Sequence, residues 1–395
     1  MFADDTCLFI EVDNREQAAT MLNEDLANIQ KWSSDWLVTF NPLKTESMVV
    51  GLKHNKQAHP RLYLHNSPIT EVTKHKHIGI WLENNLSWHV HINDVSTKAE
   101  KRLNMLKQVK YKLARKTLER LYFSFIRPIM EYGDVVWQGA SHSDLRKLDM
   151  VQVAAMRLVS GAPYRSNINS LYTELGWQNL HERRHQHVLI MMHKILNDHT
   201  PDYLKSLIPP LVGNTIKYQL RNSCDIQAPS FRVKCHQNSF FPVGIKLWNE
   251  LDNSLKQANT LLSFKSLLHK RNILVNAKQF KLRQKLYCLG DRYWNAIHSR
   301  MRMHCSPLKD HLVKNLHVIE NPTCDCGISV EDNSHFLLEC VLYVHQRESM
   351  LSKITGFVAV TTDLLLFGDL NLPFEQNKII FEAVHVFLKE TERFS

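Results

Sequence analysis

Between Val95 and Phe125 apolar residues return at every third or fourth position, first at Val95, Ala99, Leu103 and Leu106 and then at Leu118, Leu121 and Phe125. A period of 3.6 residues gathers them on one stripe, so this stretch is expected to fold as amphipathic helices laid against a core. Much of the remaining helix surface is basic. From Lys98 to Arg127 there are ten Lys or Arg against two Glu, and Lys101, Arg102, Lys107, Lys110, Arg115 and Lys116 are candidates to meet a phosphate backbone in a salt-sensitive, sequence-tolerant way. A solvated helix face is the plainer alternative. Only 12 of the 395 residues are glycine, well under the usual ~7%. None sits in a Gly-x-Gly-x-x-Gly or P-loop pattern, so a nucleotide site of either kind is not expected.

The chain is long enough for two to three folded units. With 44% apolar and 22% charged residues it has the make-up of a globular protein, which excludes a wholly disordered, collagenous or membrane-embedded chain. A net charge of +10 makes a polyanion the natural partner. No apolar run approaches the ~18 residues of a spanning helix, and Met1-Phe2-Ala3-Asp4-Asp5 is unlike a signal peptide. The chain therefore reads as intracellular, in nucleus or cytoplasm, without a membrane partner. Its eight cysteines are scattered except for Cys324, Cys326 and Cys340, and in a reducing compartment such a group favours metal binding over disulfides.

Two short motifs carry chemistry of their own. At the start of the chain Asp4 and Asp5 precede Thr6-Cys7-Leu8-Phe9-Ile10-Glu11-Val12, which reads as a β-hairpin with both carboxylates at its tip. Vicinal Asp residues on such a turn can hold divalent cations beside a reacting phosphate, although a bare Asp-Asp pair is more often a solvated acidic turn. Near the other end Cys324-Asp325-Cys326-Gly327, His335 and Cys340 give Cys-x-Cys-x8-His-x4-Cys, a set of three thiolates and one imidazole suited to tetrahedral Zn2+. Its plain alternative is a group of reduced, buried cysteines. A third pattern, His181-Glu182-Arg183-Arg184-His185, fits His-Glu-x-x-His. Two arginines inside it set fixed positive charge beside any metal, so a basic, solvent-facing helix is the preferred reading.

The order of motifs along the chain resembles the reverse transcriptases of non-LTR retrotransposons, the LINE-like and jockey-like elements. Phe2-Ala3-Asp4-Asp5 is followed by a helical stretch from about Arg15 to Leu37, by Asn41-Pro42-Leu43-Lys44-Thr45, and by a strand-like Val49-Val50-Gly51. Further matches are His77-Ile78-Gly79-Ile80-Trp81 through Trp88, the helices from His89 to Lys110 and Leu118 to Trp137, Leu148 to Gly161, Glu174-Leu175-Gly176-Trp177, Pro201-Asp202-Tyr203-Leu204 and Trp248-Asn249. The resemblance implies RNA-directed DNA polymerisation, with Mg2+ on Asp4 and Asp5 and with Lys44 facing the incoming triphosphate. It likewise implies a nucleic-acid-binding zinc knuckle at Cys324, Cys326, His335 and Cys340, with Arg300 and Arg302 as phosphate contacts on a preceding basic helix. RNA and DNA, as template, primer and target site, are the implied partners.

The expected fold is α+β and mainly helical: a partial polymerase palm over 1–88, a helical thumb-like domain over 89–210, an irregular connector over 211–275 and a helical C-terminal domain over 276–395 with the knuckle. The first carboxylate of a polymerase palm lies on a strand upstream of the Asp-Asp hairpin, and only Met1, Phe2 and Ala3 precede Asp4 here. The chain is thus expected to be catalytically incomplete alone. The competing reading is a non-enzymatic nucleic-acid-binding protein, either an element relic or a co-opted module. Residues 361–395 read as a loop and an amphipathic helix without an assigned role.

Overall fold

The computed structural model describes residues 6–11, 14–51, 60–215, 225–272, 277–354, 356 and 359–394. The chain divides into two compact units, Met1–Asp94 and Val95–Ser395. Described elements are predominantly helical, with six short strands in three two-stranded sheets. Among the described residues no helix is long and apolar enough to cross a membrane.

In the first unit helix α1, Arg15–Asp35, starts where the Asn14 side chain accepts the Glu16 amide, satisfying one of the free amides of the first turn. Its Ala19 and Leu26 pack on Leu62, Leu64 and Ile69. The helix also grips the strand β2, Tyr63–Leu64, through amides: Asn23 accepts from the Tyr63 amide at 3.0 Å and donates to the Arg61 carbonyl at 3.2 Å. Strand β1, Glu46–Ser47, runs parallel to β4, Thr70–Glu71, and β2 pairs antiparallel with β3, Ser67–Pro68. Strands β5, Lys74–His77, and β6, Ile80–Glu83, form a hairpin. Its two turn residues, Ile78 and Gly79, both take positive φ, the two-residue geometry whose twist matches the strands.

One expectation in this unit fails, and another, the hairpin around Asp4 and Asp5, lies partly outside the described residues. Residues 6–11 carry no strand, and Phe9 is 92% exposed. A strand exists only as part of a ladder, and no described residue pairs with these. The strand expected at Val49 to Gly51 is likewise absent, the local pairing falling at Glu46–Ser47 instead.

Helix α2, His89–Val109, buries the expected stripe of Val95, Ala99, Leu103 and Leu106. The next stripe is corrected. Leu118, Tyr122, Ile126 and Met130 are buried, whereas Phe125 is 39% exposed. Tyr122 takes the core position because its ring stacks on Trp177, centroids 4.2 Å apart. The expected single helix from Leu118 to Trp137 is also interrupted. Helix α3, Arg115–Leu121, passes through a wider turn at Tyr122–Ile126 into α4, Arg127–Glu131, and α5 is Asp134–Trp137. The Arg127 amide reaches back five residues to the Tyr122 carbonyl, a wide turn that leaves room for the ring of Pro128, which would crowd the carbonyl four residues before it. The Phe125 carbonyl accepts Arg102 Nη1 at 2.8 Å.

Helices α6, His142–Ser160, α7, Ile168–Leu175, and α8, Leu180–Leu196, are each started by a side-chain cap, from Ser141, Asn167 and Asn179. Gly161 ends α6 at φ +80°, and a Cβ there would stand 2.5 Å from the Ala296 Cβ. Val188, Leu189 and Met192 of α8 share a core with Trp248 and Phe264. A separate core joins helices Arg292–Arg302, Val344–Ser352, Thr362–Phe367 and Phe374–Glu390 around Phe336, Phe381 and Phe387.

Candidate metal centre and nucleic-acid interface

The described ligand atoms of Cys324, Cys326, His335 and Cys340 all lie within 4.8 Å of one another. Local backbone chemistry brings them together in two halves. A turn closed by the Gly327 amide on the Cys324 carbonyl at 2.9 Å carries the first two cysteines, and the Cys324 amide bonds the Ser329 carbonyl at 2.8 Å. The second half is the turn His335–Glu339, whose first amide is held by Asp332 Oδ1 at 2.8 Å. The Cys340 amide then bonds the His335 carbonyl five residues back, at 2.7 Å, which turns the last thiol toward the others.

The spacing fits one tetrahedral ion. Sulfurs bound at ~2.3 Å stand about 3.8 Å apart, and a bound sulfur and imidazole nitrogen about 3.5 Å. Cys324 Sγ and Cys340 Sγ are 3.6 Å apart, and Cys326 Sγ is 3.2 Å from His335 Nε2. The other nitrogen, His335 Nδ1, lies 3.7 Å from Glu339 Oε2, where an outer carboxylate can orient the ring. Burial pushes the Cys324 thiol up to about 12 and also raises Cys340. The Ile328 amide, donating to Sγ at 3.5 Å, instead brings Cys326 down to about 7. Two thiols that resist ionisation beside one that ionises readily form a set for which a bound cation supplies the missing compensation. The cluster can hold a metal ion.

The cations expected on the nucleic-acid face separate into two groups. Lys101, Lys107 and Lys116 are exposed. Arg102 and Lys110 are half-buried, the first with its guanidinium 4.2 Å from the Phe125 ring and the second with its ammonium 4.6 Å from the Tyr111 ring. Arg115 and Arg302 belong inside. Their side chains are 4% and 1% exposed and both pair with Glu174, Arg115 Nη1 at 2.6 Å and Arg302 Nη2 at 2.7 Å. Ser299 Oγ donates to the same carboxylate at 2.8 Å. Burial alone would raise the Glu174 carboxyl, but Arg302 and Arg115 outweigh it and hold the group at about 2. Arg300 is half-buried, its Nε on the Gly161 carbonyl at 2.7 Å. There, beside Arg292 on the Val159 and Leu158 carbonyls, it closes the negative end of α6. Arg115 and Arg302 are corrected from phosphate contacts to internal ties, because both are enclosed around a carboxylate far along the chain, whereas Arg300 is half-buried with its Nε on a carbonyl.

Lys44 is exposed on a short turn, Pro42–Lys44, capped by Asn41. It borders an open cleft of about 780 Å³ lined also by Lys74, His75, Lys76 and Trp81. Asp4 and Asp5 lie outside the described residues. His181 and His185 face each other on α8 with ring centroids 4.0 Å apart. Burial and then the His181 and Arg184 side chains lower His185 to about 4, and among the described residues no third ligand joins the pair. Sequence reasoning missed Glu331 and Arg393, and named Glu174 in a matching motif without giving it a role. Glu174 had a usable signal: with Leu171 and Leu175 it occupies one helical face, and an acid on a core face needs a cationic partner.

A basic, mainly helical protein with a metal-competent cluster of three cysteines and one histidine is what these residues define. Over 189 residues, 47% of the chain, it is 24% identical to a protein of Drosophila melanogaster named "Probable RNA-directed DNA polymerase from transposon BS". It is 27% identical over 178 residues, 44% of the chain, to the "RNA-directed DNA polymerase from mobile element jockey" of the same organism. A third relative, "Probable RNA-directed DNA polymerase from transposon X-element", is 21% identical over 189 residues. These matches span 21%, 19% and 21% of the relatives' own lengths, about a fifth in each case. No family model and no solved structure matches the chain. Over just under half its length the chain is therefore related to part of the RNA-directed DNA polymerases of non-LTR mobile elements.

Proposed function

We propose that this chain is a portion of a non-LTR retrotransposon reverse transcriptase that holds RNA and DNA but does not polymerise by itself. The relationship to element-encoded polymerases carries the reading, and the cysteine–histidine cluster supports it. In this reading residues 1–88 are a partial palm, 89–210 a thumb-like body, 211–275 a connector and 276–395 a metal-bearing unit. Cys324, Cys326, His335 and Cys340 hold Zn2+, the metal that a site of three thiolates and an imidazole prefers. Lys101, Lys107 and Lys116, with Arg102 and Lys110 at their margin, meet phosphates. Asp4 and Asp5 keep their role as Mg2+ ligands, and Lys44 its role at the triphosphate, only within a complete palm. The chain acts in the nucleus or cytoplasm.

A second reading is a nucleic-acid-binding protein without any polymerase role, which the exposed Lys101, Lys107 and Lys116 would serve equally well. Primer extension separates the two questions. Purified chain given a primed RNA template, Mg2+ and deoxynucleotides is expected to add no nucleotide. Extension that disappears in an Asp4→Asn, Asp5→Asn variant would overturn the claim of incompleteness. Metal analysis of protein purified without chelator is expected to give one zinc per chain, and folded protein free of zinc would remove the metal assignment.

A further inference from the structure

Glu331 lies in the spacer between Cys326 and His335, and its side chain is 1% exposed. A carboxylate buried to that degree is stable only when its charge and lone pairs are met. Arg393, 62 residues away in sequence, meets them with a two-pronged contact, Nε to Oε1 at 2.6 Å and Nη2 to Oε2 at 2.7 Å. The Lys309 amide adds a third bond to Oε2 at 2.9 Å. The backbone of Glu331 is engaged as well, its amide on the Pro322 carbonyl at 2.9 Å and its carbonyl on the Asp310 amide at 3.2 Å. Next to Arg393, Phe394 is buried, its ring centroid 5.3 Å from that of Phe336, which follows the ligand His335. The Tyr293 hydroxyl donates to the Phe394 carbonyl.

Resting on the metal reading above, we propose that Arg393 and Phe394 form a clasp that positions the metal ligands, so that their docking and metal binding strengthen each other. Glu331 joins the two halves of the site. On one side Val330 bridges to Thr323, the neighbour of Cys324. On the other Asp332 holds the amide of His335. Without Arg393 the Glu331 carboxylate has to move toward water, and both neighbours move with it. The ligand halves then lose their register. Linkage requires the converse in equal measure: an ion that fixes the four ligands also fixes Glu331 in the position that receives Arg393.

The test uses the full chain. Zinc affinity is measured by competition with a chromophoric chelator for wild type, Arg393→Ala, Arg393→Lys and Phe394→Ala, with circular dichroism to verify folding. Loss of a group bonded to a metal ligand costs about 10–100-fold in affinity; Arg393 acts one residue further out, through Glu331, so Arg393→Ala is expected to weaken zinc binding by about the lower end of that range. Arg393→Lys, which keeps the charge but not the two-pronged fit, falls between it and wild type. Amide exchange at residues 391–394 provides a readout that a merely stabilising contact would not move, being expected to quicken when zinc is removed. Zinc affinities within twofold in folded Arg393→Ala and Phe394→Ala chains, or exchange at 391–394 indifferent to zinc, would overturn the clasp. Should Arg393→Ala not fold, the Arg393→Lys affinity and the wild-type exchange decide in the same way. A wild-type chain that binds no zinc overturns the metal assignment and the linkage with it, whereas zinc binding unaltered by these variants overturns the clasp alone.

Discussion

Arg115 and Lys116 are neighbours with the same charge, yet they have opposite surroundings. Arg115 is enclosed, and although burial works against its charge the Glu174 carboxylate holds its pKa above the ordinary value. Lys116 is exposed. The same contrast separates Arg302, wedged between Glu174 and the Tyr287 ring, from Lys101 and Lys107 on α2. One group of cations ties α3, α7 and the helix Arg292–Arg302 together, and the other is free to meet an external polyanion. A basic stretch is thus two things at once, and only the exposed part adds to the electrostatic surface.

Removing the buried group should have the largest effect. Arg302→Ala leaves Glu174 with one guanidinium where it had two, and breaking a buried pair from one side costs about 3–5 kcal/mol. A urea midpoint shift well below 1 kcal/mol would mean the hub is no hub. Acid provides the next test. Glu174 is held at about 2 when folded and has an ordinary carboxylate value of ~4.3 when unfolded. Its stabilisation is complete above that value and is lost as pH falls from ~4.3 toward 2, on the order of 3 kcal/mol in all. Stability profiles of wild type and Glu174→Gln should therefore converge over that window, and parallel profiles would contradict the assignment.

The exposed group should behave in the reverse manner. Replacing Lys101, Lys107 and Lys116 by Ala is expected to leave the urea midpoint within about 0.5 kcal/mol. The same triple variant should lower the salt slope for single-stranded nucleic acid by about 2, at ~0.7 per phosphate contact. A large loss of stability with no change in slope would erase the contrast. Lys44→Ala on its exposed turn is the smallest perturbation, expected within about 0.5 kcal/mol of wild type in stability.

What could be read in advance follows the distance between partners in sequence. Helix α1 and the stripe of α2 were legible because each is set by residues within a few positions of one another. The metal cluster was legible for a related reason: four ligands with short spacers must meet if their turns form. Glu174 lies 59 residues from Arg115 and 128 from Arg302, so no local pattern announces that those arginines turn inward. Arg300 looked identical to a surface arginine until Gly161, 139 residues away, appeared at its tip. The hairpin expected around Asp4 and Asp5 lies partly outside the described residues, and its described part, residues 6–11, carries no strand. Tyr122 takes a core place that the stripe of Leu118, Leu121 and Phe125 does not predict, because its partner Trp177 lies 55 positions away and the stacked ring is fully buried.

The most direct test of the account is binding of the purified chain to labelled single-stranded RNA, single-stranded DNA and a hybrid duplex through a salt series, with and without a zinc chelator. Binding that weakens steadily with salt and weakens further on chelation is the predicted result. No binding at low salt would show that Lys101, Lys107 and Lys116 are only a solvated surface, and would contradict the claim that this chain holds nucleic acid.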